Sequence, residues 1–146
     1  MDVREPESRS ACKPTEMDGP RIVMLCAESS DTEPIARWLR KLNTGSLLTY
    51  DRPGQLRLNP PVGEIALFVL VDRESRESTA DTLRWLGRHW PQTARVVVGE
   101  TGSGRQELMA RMGGAIYLVY PASREQWQAL VHLAVQSANR ADAPAA

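Results

Sequence analysis

Apolar residues along this chain gather in short continuous runs, and between the runs they recur every three to four positions. Arg21 opens the first run, RIVMLCA, the pattern of a strand buried on both faces. Polar residues 28 to 32 follow, and Pro34 suits a first helical turn. Ile35, Trp38, Leu39 and Leu42 then put one apolar face on a helix that Asn43-Thr44-Gly45 ends, with Gly45 as a left-handed cap. Ser46 to Tyr50, SLLTY, reads as a short strand, more polar at its ends and so expected at a sheet edge. The stretch DRPGQLRLNPPVGE carries three prolines and two glycines, which leaves room for at most about a turn and a half of helix.

Ile65 to Val71, IALFVLV, is the strongest apolar run and predicts a central strand that Asp72 terminates. A charged loop leads into a helix from Ser78 to Trp90, with Leu83, Leu86 and Trp90 at helical spacing. Ser78 with Asp81 resembles a capping box, and Pro91 stops the helix. Val96 to Val98 is a further strand. Gly102-Ser103-Gly104 reads as a tight turn, and Leu108, Met109 and Met112 mark a short helix ending at Gly113-Gly114. Ile116 to Tyr120, IYLVY, is the last strand. Ser123 and Gln126 form a capping-box pattern before a long amphipathic helix carrying Trp127, Leu130, Val131, Ala134 and Val135.

Strand and helix therefore alternate, and alternation of this kind builds a parallel sheet, because parallel strands need crossovers. The expected fold is α/β: a single doubly wound five-stranded parallel sheet, flavodoxin-like, with the second helix short or absent. Residues 1–20, charged and with three prolines, are expected to be a flexible leader, 21–140 the domain, and 141–146 a disordered tail. Reactive groups in such a sheet gather at the carboxyl ends of the strands. Those ends carry Cys26 to Glu28, Asp72, Gly99 to Thr101, and Tyr120-Pro121.

Composition narrows the function by exclusion. The 146 residues hold 18 Lys+Arg and 18 Asp+Glu, a formal net charge of zero, so no bulk attraction to nucleic acid or anionic membrane is expected. No apolar run approaches the ~20 residues of a membrane-spanning helix, and MDVREPESRSACKP lacks the apolar segment of a secretory signal. Cys12 and Cys26 do not make a disulfide framework, and a reducing cytoplasm is the simplest compartment. His89 and His132 are too few and too far apart to imply zinc and read as partly exposed helix residues, so no metal site is implied. Nor is there a Ser-His-Asp, Cys-His or GxSxG arrangement, so an enzyme is not expected.

From Arg21 to about Ala138 the chain resembles the receiver domain of bacterial response regulators. The resemblance rests on the element order, on Asp72 after IALFVLV, and on GGAIYLVYP, which is similar to the family's ending of the fifth strand, with Tyr117 at its aromatic position. It implies a phosphoacceptor position at Asp72. It also implies departures. Where receivers carry paired acids that hold magnesium, this chain has Cys26 and Ala27, with Glu28 adjacent. Where they carry a Lys that pairs with the phosphoryl group, it has Tyr120, followed by the family's Pro121. Where they carry Thr or Ser after the fourth strand, it has Gly99.

Phosphoryl transfer relies on metal and cations to neutralise the phosphoryl oxygens. A lone carboxylate holds Mg²⁺ poorly, and Tyr offers a neutral donor. The resemblance thus implies a degenerate receiver, a pseudo-receiver with Asp72 inactive and no cofactor. Such a module works in phosphorelay signalling by protein–protein interaction, with another signalling protein or a second copy as partner, through the surface of the last two strands and helices. Two alternatives stand beside it. Asp72 is still phosphorylated, or the glycine-rich stretch GETGSGR binds an anion or nucleotide through Gly102, Ser103, Gly104 and Arg105. Against the second, Arg105 and Gln106 stand where a phosphate-binding loop needs Lys and Ser or Thr. Trp38 and Trp127 fall in apolar stripes, whereas Trp85 lies off one, and an exposed Trp marks a partner surface.

Overall fold

A computed structural model describes residues 20–26, 32–42, 46–71, 77–100 and 104–141, with the side chains of 26, 32, 77, 78 and 139–141 left undescribed. The expectations made for residues 1–19 of the leader, residues 142–146 of the tail, Gly45 as a cap, Ala27, Glu28, Asp72, Gly102 and Ser103 lie outside the described residues, and α5 extends to Ala141, one residue into the expected tail. The described chain runs β1 (Arg21–Cys26), α1 (Thr32–Leu42), β2 (Leu47–Tyr50), α2 (Pro53–Leu58), β3 (Ile65–Val71), α3 (Glu77–His89), β4 (Ala94–Gly99), α4 (Gly104–Met112), β5 (Ile116–Val119) and α5 (Arg124–Ala141). The sheet order is β2-β1-β3-β4-β5 and every pairing is parallel. β1, β3 and β4 are thus internal, as their unbroken apolar runs require, and SLLTY lies at an edge as expected.

Side chains alternate across the sheet and feed two cores. Ile22, Met24, Leu67, Val69, Val96 and Val98 face α1 and α5. Val23, Leu25, Phe68, Leu70 and Val97 face α2, α3 and α4. On the first side Trp127, 1% exposed, joins Leu39 and Val131 in the largest packed cluster. The N-terminus of α5 is closed by the capping box its sequence announces. The Gln126 backbone N–H donates to Ser123 Oγ at 3.1 Å, and the Ser123 N–H donates to Gln126 Oε1 at 2.8 Å.

On the second side α2 is short but present. Pro53 opens it and Leu56 is its buried residue. Asn59 ends it, its carbonyl accepting the Tyr50 hydroxyl at 2.6 Å. α3 stops at His89, before Pro91. Trp85, expected off the apolar stripe, is half-buried. Its ring lies 4.5 Å from His89 and 5.6 Å from Trp90, and Trp90 in turn lies 5.1 Å from Phe68. Both histidines are exposed on helices, as expected.

α4 departs from the sequence reading. Leu108 and Met112, expected to mark its apolar face, are 60% and 79% exposed, while Gln106 and Ala110 are its buried residues. The helix ends as expected, with Gly114 at φ 75°. The Ala115 N–H donates to the Ala110 carbonyl and the Gly114 N–H to the Arg111 carbonyl, so the last carbonyls are satisfied by a glycine-dependent reversal.

Candidate functional site

The parallel register brings the carboxyl ends of the strands to one edge. Cys26 pairs with Val71, Val71 with Val98, and Gly99 with Val119. This is the edge at which a doubly wound sheet presents its chemistry. Four of the positions singled out there, Ala27, Glu28, Asp72 and Thr101, lie outside the described residues. Cys26 closes β1 through its backbone pairing, and Gly99, Tyr117, Tyr120 and Pro121 can be placed in full.

Gly99 is buried as the last residue of β4. A β-carbon added to it would stand 2.5 Å from Gln106 Oε1, 2.5 Å from the Tyr117 hydroxyl and 2.8 Å from Tyr117 Cε1. Those distances are far inside van der Waals contact, so the two side chains fill the volume that any larger residue at 99 would claim. They are also held there. The Glu100 backbone N–H donates to Gln106 Oε1 at 2.9 Å. The Tyr117 hydroxyl lies 2.7 Å from the Glu100 carbonyl and 2.9 Å from Gln106 Oε1, and its single proton serves these two acceptors. Gln106 is 1% exposed, a depth at which a polar side chain is retained only when it is hydrogen-bonded.

Tyr120 follows β5. Its backbone N–H donates to the Gly99 carbonyl at 2.8 Å and extends the β4–β5 pairing by one bond. Its ring packs, half-buried, on the core that faces α1 and α5. A neutral ring embedded in that way supplies no cation at the sheet edge. The Tyr120–Pro121 peptide is cis. Gly104 and Arg105, two of the four residues considered for anion binding, are exposed in the first turn of α4. Among the described residues no group of three or more His, Cys, Asp or Glu could hold a metal ion, and no helix is long and apolar enough to cross a membrane.

The sequence singles out Gly99 at the end of the fourth strand and Tyr117 at the aromatic position of the fifth, without joining them, and Gln106 is not singled out as their neighbour. The signal was available in Gly99. A glycine that closes a fully buried strand leaves a space, and a nearby side chain must fill it.

A second feature lies on the surface of α4, β5 and α5. On α4 and β5, Leu108, Met112, Ile116 and Val119 are exposed, and on α5 Leu133 is exposed. Leu108 and Met112 are four residues apart and share one helical face.

No family model matches the sequence, and no curated protein matches it either. Solved structures do match its fold. The BeF3-activated receiver domain of DrrB gives a TM-score of 0.70 at 15% identity, over 82% of this chain and 99% of that one. A response regulator receiver domain protein from Clostridium thermocellum gives 0.67 at 20% identity, over 84% and 97%. The CheY-like protein TadZ from Pseudomonas aeruginosa gives 0.66 at 16% identity, over 79% and 98%. The chain has the fold of a response regulator receiver domain, matched over nearly the full length of each of these structures.

Proposed function

We propose that this chain is a non-catalytic signalling module of the two-component, phosphorelay type. It acts in the bacterial cytoplasm by binding another signalling protein or a second copy of itself through the α4–β5–α5 face. On this reading Asp72 occupies the phosphoacceptor position without being a working phosphoacceptor. The observation that carries the proposal is the filled space at Gly99. The position where receivers carry a hydroxyl has no side chain, and its volume is taken by Tyr117 and Gln106. Supporting it are Tyr120 in place of the family's lysine, Cys26 and Ala27 in place of its paired acids, and the exposed apolar residues on α4 and β5.

The energetic argument concerns charge. Attack by a carboxylate on a phosphoryl donor gathers negative charge at one point. Removing a single preorganised stabilising group typically costs ~10²–10³ in rate, and here several are replaced. On this reading the module is neither an enzyme nor a binder of nucleic acid or membrane, and it needs no metal.

The test is mass spectrometry of the intact chain after incubation with acetyl phosphate and magnesium, with Asp72→Asn as control. The expected result is an unchanged mass. A magnesium-dependent gain of one phosphate on the wild type, absent from Asp72→Asn, would show a live phosphoacceptor and overturn the non-catalytic reading.

A further inference from the structure

We infer that Gly99, Gln106 and Tyr117 form a permanent latch, which pins the start of α4 and the edge strand β5 to the end of β4 in one arrangement that no input signal is needed to reach. The consequence for docking rests on the reading above; the latch itself does not.

The latch works through a single residue's backbone. Glu100 is the first residue beyond β4. Its N–H is taken by a side chain of α4, and its carbonyl by a side chain of β5. The two side chains also meet each other, with the Tyr117 hydroxyl 2.9 Å from Gln106 Oε1. The three elements are therefore tied at one point. Letting go would break hydrogen bonds made by partly buried main-chain groups and by a buried amide, each costly to lose.

Sterics permit this seat. The inward seat of Tyr117 exists because residue 99 has no β-carbon, which would stand 2.5 Å from the hydroxyl. The arrangement is selected by the covalent structure of the chain and does not wait for a ligand to fill the site. An equilibrium shifts only as far as a ligand binds one state better than the other. Here the latched state already holds these hydrogen bonds with no ligand bound. The face of α4 that carries Leu108 and Met112 is then presented in a constant form, and signalling would be set by the partner's concentration or modification.

The experiment is amide hydrogen exchange over α4 and β5, compared with α5 as an internal reference. Tyr117→Phe keeps the ring and removes only the hydroxyl. Gly99→Ala adds only the β-carbon. Both are expected to speed exchange in α4 by about tenfold or more, with α5 unchanged, as local opening predicts. In a Gln106→Ala/Tyr117→Ala background the added β-carbon at 99 no longer meets either side chain, and Gly99→Ala is expected to add little further effect. Equal cost of Gly99→Ala in both backgrounds, or unchanged α4 exchange in Tyr117→Phe, would overturn the latch.

Wild-type exchange is also expected to be indifferent to acetyl phosphate with magnesium, and a change confined to α4 would overturn its independence of input. The two readings fail separately. A phosphate adduct with unchanged α4 exchange defeats the non-catalytic assignment and leaves the latch. No adduct, with α4 insensitive to the substitutions, does the reverse.

Discussion

α4 packs on β4 and β5 and α5 packs on β3 from the other face of the sheet, and the two helices are held there by opposite kinds of contact. α5 buries Trp127, Leu130, Val131 and Ala134, an apolar stripe at helical spacing. α4 buries Gln106 and Ala110 and turns Leu108 and Met112 outward. One helix is fixed by apolar area, the other by a hydrogen-bonded amide at its start and a glycine reversal at its end. A helix that buries an amide beside Ala110 and leaves Leu108 and Met112 in solvent is poorly explained by folding alone. On the proposed function the contrast separates a helix held by its buried stripe from a helix whose exposed apolar residues meet a partner.

The sharpest way to break the comparison is to remove the anchor of α5. Trp127 is the largest fully buried side chain. Trp127→Ala is expected to cost ~3–5 kcal/mol through lost burial and the cavity left behind, enough to threaten folding. Equilibrium urea unfolding measures it. A loss under ~1 kcal/mol would mean that α5 is not held by its apolar stripe.

The same contrast explains what the sequence discloses and what it conceals. Apolar burial leaves a periodic trace. The runs RIVMLCA and IALFVLV, the stripe on α5 and the prolines that shorten α2 are therefore all readable, and with them the sheet and its order of elements. Capping chemistry is readable as well when its partners are close in sequence, as with Ser123 and Gln126. The tie between Glu100, Gln106 and Tyr117 spans 17 residues of chain and obeys no local period. Nothing in the pattern around Gln106 distinguishes a buried amide from a surface one. Leu108 and Met112 mislead for the complementary reason: apolar residues at helical spacing predict a buried face, and here both are exposed.

A smaller test asks whether local capping matters once the stripe of α5 is packed. Ser123→Ala removes the oxygen that accepts the Gln126 N–H. It is expected to lower stability by ~1 kcal/mol, the usual worth of such a cap. Thermal unfolding would register this as a fall in Tm of several degrees in a domain of this size. A Tm equal to that of the wild type would mean that packing alone fixes the start of α5.

The smallest expected effect on stability is the most informative about use. Leu108→Ser and Met112→Ser replace side chains that are mostly in water. Each is expected to change unfolding free energy by no more than ~0.5 kcal/mol, because little apolar area is returned to solvent. Contact with a partner follows the opposite arithmetic. The area that these side chains leave uncovered in the free protein is the area an interface would cover, and truncating central apolar anchors commonly costs more than ~1 kcal/mol of binding. The pair of substitutions together is therefore expected to leave Tm almost unchanged and to weaken any assembly the wild type forms, with itself or with another signalling protein, by ~10-fold or more. Sedimentation equilibrium reads self-association, and titration against a purified partner reads the rest. If the double variant instead unfolds several degrees early while its associations persist, then Leu108 and Met112 are core residues in solution, and the distinction between the two helices fails.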